Sequence, residues 1–290
     1  MTQQKPPQNS IKNRRLLLSL IPVLLTLLAI ATFWYSSTTQ PEAFLQLHDK
    51  SYGREESIVA QIPLEEVRDD QVVIYFGIHV DKIYELSLHS RTFSADGSLW
   101  IEWDAKNQEY MEKHNIAPHQ LLRLVNQIER WDSVFEPASE EPRILSAGRY
   151  YQRFMFSSRF YDDEINFRRD PFDSLILPIV VEVAPGMMSQ KYQQTLLYPH
   201  HHQNGFLGMS GTLSGYQLEG AMLNSYIHQY PSRFGGWFEP AFSQARLDIV
   251  YHSDYWSAFV NWVLPLVIVM SVVLLSPSVA GSMGDVRLAI

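Results

Sequence analysis

Residues 167–183 read FRRDPFDSLILPIVVEV. The segment opens with charged residues, turns at Pro171-Phe172-Asp173, and then places Leu175, Leu177, Ile179, Val181 and Val183 at every second position. A proline after Asp170 pushes that residue out of helical geometry, and period-two apolarity is the mark of a half-buried strand. This is a tight turn feeding a strand. The turn has an apolar tip, Phe172, with a charge beside it, so Phe172 either tucks under its own sheet or meets another apolar element.

The same alternation recurs on both sides. Val72, Ile74, Phe76, Ile78 and Val80 alternate, as do Phe93, Ala95, Gly97, Leu99, Ile101 and Trp103, so the two runs read as a hairpin joined by a longer connection over Asp81–Ser90. Further strands are predicted at Tyr150–Phe156, at Leu175–Val183, around Tyr216–Ile227 and at Gln244–Tyr251. One helix is predicted over Pro118–Trp131, with the proline near its start and Leu121, Leu122, Val125 and Ile128 on one face. Many short strands separated by turn signals indicate a mainly β fold, a sandwich.

Two long uncharged runs flank this β region. Leu16–Tyr35 follows Lys12, Arg14 and Arg15 and ends in Thr32-Phe33-Trp34-Tyr35, which suits an uncleaved anchor with an interfacial aromatic belt better than a signal peptide. Trp256–Leu275 is the second, with Asn261 and Pro265 inside it. The expected organisation is a basic cytoplasmic tail (1–15), a transmembrane anchor or signal sequence (16–35), a ligand-binding β-sandwich facing the periplasm or extracellular side (40–254), a transmembrane helix (256–275) and a cytoplasmic end (276–290). Membrane segments also account for a composition that is 46% hydrophobic, 13% aromatic and only 19% charged.

A formal net charge of −8 excludes a nucleic-acid partner, which would need clustered Lys and Arg. The absence of cysteine excludes disulfides, thiolate metal sites and a cysteine nucleophile. The residues point to no metal and no cofactor. His200-His201-His202 is a run of adjacent imidazoles, whose side chains alternate in an extended chain and cannot all face one ion. A polar loop tip accounts for it, with proton sensing as a variant. Asp162-Asp163-Glu164 lacks the spacing of a calcium loop. No nucleophile-elbow, dinucleotide or phosphate-loop pattern is present, so the chain does not read as an enzyme, and a hydrolase would have to be assembled from His200, Ser210 and Asp163.

Tyr230–Phe242, YPSRFGGWFEPAF, holds more information. Aromatic rings, an arginine and adjacent glycines just before the last strand suit capture of a small ligand, and Tyr230, Arg233, Phe234, Trp237 and Phe238 are the candidate contacts. The alternative is an aromatic turn packed on its own domain.

Three of these stretches, in this order, resemble the pentameric ligand-gated ion channels of prokaryotes, members of the Cys-loop receptor superfamily. The hairpin Val72–Trp103 resembles that family's first two strands, and Phe167–Leu177 resembles its signature loop, with Pro171-Phe172-Asp173 at the Pro-Phe-Asp turn. The last strand, running through Tyr255 into Trp256–Leu275 with Pro265 inside it, resembles the final extracellular strand and first membrane helix. The chain also departs from the pattern. Asp163 and Leu177 stand where the loop cysteines would be, Asp170 replaces an aromatic, Leu175 replaces a glutamine, no arginine stands near His252, and an amino-terminal anchor is not a standard family feature.

The resemblance implies a receptor that binds a small-molecule ligand between subunits of a homo-oligomer, a pentamer, in contact with membrane lipid. It also implies that Ser87–Ser90, with Leu88 and His89, and the turn Pro171, Phe172 and Asp173 press on the membrane part. Val279–Ile290 resembles the first link and the opening of a pore helix, so the expectation is an amino-terminal portion. The alternative is a membrane-tethered periplasmic binding or sensor module without transport.

Overall fold

A computed structural model describes residue 31 and residues 58–60, 62–68, 71–163, 165, 175–184, 195–200, 205–208, 212–213, 215–233, 239–253, 256 and 259–275. The chain divides into two units, 46–253 and 1–45 with 254–290.

The first unit is mainly β. In chain order its elements are β1 (Ile58–Ala60), β2 (Val72–Ser87), β3 (Thr92–Asp104), α1 (Ala105–His114), β4 (Leu122–Leu124), β5 (Gln127–Ile128), β6 (Val134–Pro137), β7 (Arg143–Ile144) and β8 (Arg149–Tyr161). They continue with β9 (Leu175–Val183), β10 (Thr195–Pro199), β11 (Thr212–Leu213), β12 (Tyr216–Gln229) and β13 (Ala241–Ser253). Sheet I has the order β1-β12-β13-β9-β4, with β11 also on β12; sheet II has the order β10-β2-β3-β8, with β5, β6 and β7 following one another along β8. Among the described strands all pairings are antiparallel except β10 with β2.

The alternation read in the sequence is what builds the core. Ile74, Phe76, Ile78 and Val80 of β2 join Leu99 and Ile101 of β3, Phe154, Phe156 and Phe160 of β8, and Leu177, Ile179 and Val181 of β9 in one buried cluster shared by both sheets. Each such aliphatic or aromatic side chain contributes about 1.5–3 kcal/mol by leaving water. Rings set the spacing within sheet II: Phe93 stacks on Phe160 at 5.4 Å and Phe156 meets Phe160 edge-on at 6.3 Å. Gly77 is required by close approach, since a Cβ there would stand 2.2 Å from the Trp100 ring.

Two sequence expectations are corrected. The connection Asp81–Ser90 is mostly strand: β2 runs on to Ser87, with register shifts between Val80 and Lys82 and between Tyr84 and Ser87 and with Glu85 at φ 52°. The first bulge flips the phase, so Ile83 rather than Lys82 points inward, and broken alternation disguises the strand. The helix over Pro118–Trp131 does not form. A 3-10 turn at Pro118–Leu121 is followed by β4, paired as Leu122↔Val183 and Leu124↔Val181, then by β5 and a second 3-10 turn. Asn126 draws this segment to sheet I by donating from Nδ2 to Pro178 O (2.8 Å) while its Oδ1 accepts from Val180 N (3.1 Å).

The α-helix of this unit lies elsewhere, at α1. Asp104 caps it by accepting from Asn107 N at 2.8 Å, and Asn115 ends it at φ 53°.

In the second unit a π-helical turn, Phe259–Val263, leads into α2 (Leu264–Leu275). Pro265 explains the widened turn, because its ring replaces an N–H that an α-helix would aim at the Asn261 carbonyl. Among the described residues no helix is long and apolar enough to cross a membrane. The segment 16–35 lies outside them apart from Ala31, which is helical.

Candidate functional site

The face of sheet I turned away from the core carries polar residues where a solvent-exposed face or an apolar one would be ordinary. Leu122, Leu124, Val181, Val183 and Ala245 point inward, so strand alternation directs Arg123, Glu182 and Gln244 to the opposite face. Register then aligns them: Arg123 on β4 pairs with Glu182 on β9, Glu182 with Gln244 on β13, and Gln244 with Tyr226 on β12. Four strands thus contribute one residue each to a single row across the sheet.

Glu182 is fully buried, and a buried carboxylate is tolerated only when paired. Arg123 supplies Nη2 at 2.8 Å and Nε at 3.0 Å to Oε1. Oε2 accepts from Gln244 Nε2 at 2.6 Å and from the Tyr230 hydroxyl at 2.7 Å. Tyr226 closes the row by donating to Gln244 Oε1 at 2.8 Å.

Tyr230 stands at the foot of the aromatic hairpin, where its N–H bonds Pro240 O at 2.9 Å. Its ring meets His228 edge-on at 4.5 Å and Phe242 edge-on at 5.9 Å. Burial, reinforced by the negative charge of Glu182 and only partly offset by Arg123, pushes its hydroxyl up to about 12. Tyr230 is therefore a neutral hydrogen-bond donor at every physiological pH.

Farther along the same face, Arg246 bonds Asp248 through Nε to Oδ1 at 2.7 Å, both side chains being buried. Burial disfavours the Arg246 charge, but Asp248 outweighs it, with further support from Tyr226 and Asp162, and the guanidinium stays ionised.

Of the sequence candidates for ligand contact, Tyr230 joins this network and Arg233 lies exposed just beyond it, while Phe234, Trp237 and Phe238 lie outside the described residues. Of the coupling candidates, Leu88 packs partly buried against the core and His89 is exposed at the β2–β3 turn. Pro171, Phe172 and Asp173 lie outside the described residues.

The structure does tie that turn to the start of the 162–174 connection. Asp162 N donates to Arg91 O at 3.1 Å, and Arg91 Nη1 donates to Asp163 O at 3.1 Å. Tyr216 pairs with Ser253, whereas Gln229 pairs with Ala241, so Tyr230 belongs to the other end of the β12–β13 hairpin. About 30 Å of β13 separates Gln244 from Ser253 at roughly 3.3 Å per residue.

Among the described residues, two of the groups a hydrolase would need stand apart. His200 is held against Glu102 near one end of β3, Asp163 lies by Arg91 at the other end, and Ser210 is outside the described residues. Among the described residues no group of His, Asp and Glu is arranged to hold a metal ion.

Sequence reading missed Arg123, Glu182 and Gln244. The available signal was a single charge inside each of the runs Leu122–Leu124 and Leu175–Val183 and the series Gln244, Arg246, Asp248 at every second position of Ala241–Ser253; their convergence came from register. In comparison with known proteins, no family model matches the chain and no curated protein matches it.

Proposed function

We propose that the β-domain is the ligand-binding part of a channel-like membrane receptor, with the ligand site at the Arg123–Glu182–Tyr230 network and the aromatic segment that follows Tyr230 in the chain. One observation carries this reading. A fully buried carboxylate is hydrogen-bonded to the tyrosine at the foot of a hairpin rich in aromatic residues and glycine. A ligand that engages Arg233, Trp237 or Phe238 moves a segment whose base is anchored to Glu182, and β13 is the last strand before Trp256 in the sequence.

The membrane part of the reading is supported by the uncharged run from Trp256 to Leu275. It is supported also by the exposure of Leu266, Ile268, Val269 and Met270 on α2, an arrangement suited to a lipid or helical environment rather than to water. Coupling then works by population shift. Ligand biases the domain between two packings only by the difference in its affinity for them. On the same reading the chain acts as a homo-oligomer in a membrane, with its β-domain on the periplasmic or extracellular side.

The test is Trp237→Ala in the full chain. Thermal melting is followed with and without a panel of small amines and small carboxylates, alongside current recordings in lipid bilayers. The expected result is an unchanged melting temperature without additive, and loss of the stabilisation that an active panel member gives the unsubstituted protein. Loss of folded protein on Trp237→Ala would show that the hairpin tip is core and would end the reading. Stabilisation without current in any condition would leave a tethered binding module in its place.

A further inference from the structure

The histidine run follows β10, and the ligand site makes no use of it. β10 pairs in parallel with β2 as far as Pro199↔Phe76, and the His200 N–H continues the ladder to Phe76 O at 2.8 Å. Pairing resumes at the bridge Val80↔Leu207, with Val80 N bonded to Phe206 O and Gly208 N to Val80 O, each at 2.8 Å. The two feet are four residues apart on β2, at Phe76 and Val80, and six apart on the facing chain, at His200 and Phe206.

Each foot is held by an imidazole. His200 Nε2 bonds Glu102 Oε1 at 2.7 Å, reaching across β2 to β3. His79 Nδ1 lies 3.3 Å from Gly205 O, and its Nε2 lies 3.7 Å from Asp81 Oδ1. Gly208 passes so close that a Cβ there would stand 2.9 Å from His79 Nε2.

We propose that His200 and His79 form a proton-operated clasp on the β10 edge of sheet II, which mild acid tightens and mild alkali loosens. Imidazole changes charge near neutrality, and its protonated form donates from both nitrogens. Protonation therefore turns the His200–Glu102 bond into an ion pair and adds a positive charge to the His79 bonds, and charge-assisted hydrogen bonds are roughly twice as strong as neutral ones.

Among the described residues, the following charged and titratable groups stand around the clasp. Glu102 faces His200 from β3, with Arg149 of β8 at 3.6 Å from its second oxygen and Asp104 paired across from Arg149. Tyr198, Tyr75 and Tyr151 flank it on β10, β2 and β8. Asp81 faces His79, and Lys82 beside it is engaged with Asp96 at 3.0 Å. Arg149 opposes a charge on His200, but Glu102 lies between them, and the two carboxylates set the direction. Among the described strands β10 is the last of sheet II and pairs on one side only, so a change in its clasp is read at its own amides.

Hydrogen exchange of the full chain, corrected for intrinsic rates, tests the clasp at about pH 5.5 and about pH 8. Amides of β10 and of 206–208 are expected to exchange about five-fold more slowly at the lower pH, relative to β8 as internal reference. His200→Gln and, separately, Glu102→Gln should each remove most of that difference at β10, whereas His79→Gln should remove it at 206–208. Protection of β8 reports that each variant is folded. Absence of the difference in the unsubstituted protein, or its persistence in a folded His200→Gln,His79→Gln double variant, would overturn the proposal.

Discussion

On sheet I, Glu182 occupies the cross-strand row Arg123–Glu182–Gln244–Tyr226; on sheet II, Glu102 occupies the row Tyr198–Tyr75–Glu102–Tyr151. Both carboxylates point away from the shared core, and their surroundings differ in kind. Glu182 is sealed, and its partners are a guanidinium, an amide and a phenol that keep their charge states across physiological pH. Glu102 keeps 10% of its side chain exposed, and its closest partner is a histidine, with Arg149 stacked over Tyr75 at 4.7 Å rather than locked onto the acid. One row is a fixed electrostatic frame on which a binding hairpin can stand. The other holds a strand edge through a bond that protons adjust.

The comparison predicts its own largest effect at Arg123. Arg123→Met keeps the aliphatic length but leaves Glu182 buried without its charge partner. Breaking such a pair costs about 3–5 kcal/mol, and the partial exposure of Arg123 places this one near about 3 kcal/mol. Urea unfolding of the β-domain measures it. A double variant, Arg123→Met with Glu182→Gln, should recover much of the loss, because the stranded charge is gone. A single-variant cost under about 1 kcal/mol would mean that Glu182 is not sealed, and the contrast between the rows would fail.

Tyr230→Phe comes next. It removes one hydrogen bond to a carboxylate, worth about 1.5 kcal/mol, and leaves the ring contacts to His228 and Phe242. It also changes the alkaline limb of stability. The folded Tyr230 hydroxyl, held up to about 12 against an unfolded value of 10.0, binds its proton more tightly in the native state. Its contribution is complete below about pH 10 and is lost as pH rises through about 12. Melting temperatures between those limits should fall less steeply in Tyr230→Phe than in the unsubstituted protein. Tyr251, also pushed up to about 12 by burial, contributes to the slope in both.

How much of this was legible in the sequence follows from which physics each feature uses. Strands β2, β3, β8, β9, β12 and β13 could be read because apolar alternation is local, even in β9 and β13, where the second face is buried too. The extension of β2 past Val80 could not, because a bulge breaks the alternation that reveals a strand. α1 buries only Asn107 and Met111, so it shows no apolar stripe, and its cap at Asp104 was the signal available. The segment after Pro118 imitated a helix because Leu121, Leu122, Val125 and Ile128 have helical spacing. Asn126 and the pairing of β4 with β9, both long-range, decided otherwise. Tyr230 was found from local composition. Arg123, Glu182 and Gln244 converge only through the register of four strands, which no window of sequence contains.

The smallest effect, and the sharpest test of the contrast, is Glu102→Gln. The substitution keeps shape and hydrogen-bonding capacity while removing the charge, so at about pH 8, above the ordinary imidazole range, little charge pairing is lost. Arg149 stands 3.6 Å from the acid with 39% of its side chain exposed, and water can take up its charge. The expected cost in the same urea measurement is under about 1 kcal/mol, well below that of Arg123→Met. Two buried-looking carboxylates in matching rows would then differ in energy because one partner set is fixed and sealed while the other is titratable and partly wet. Equal costs for the two variants would show instead that burial alone governs both rows, and that the identity of the cation beside the acid carries no information about what each sheet does.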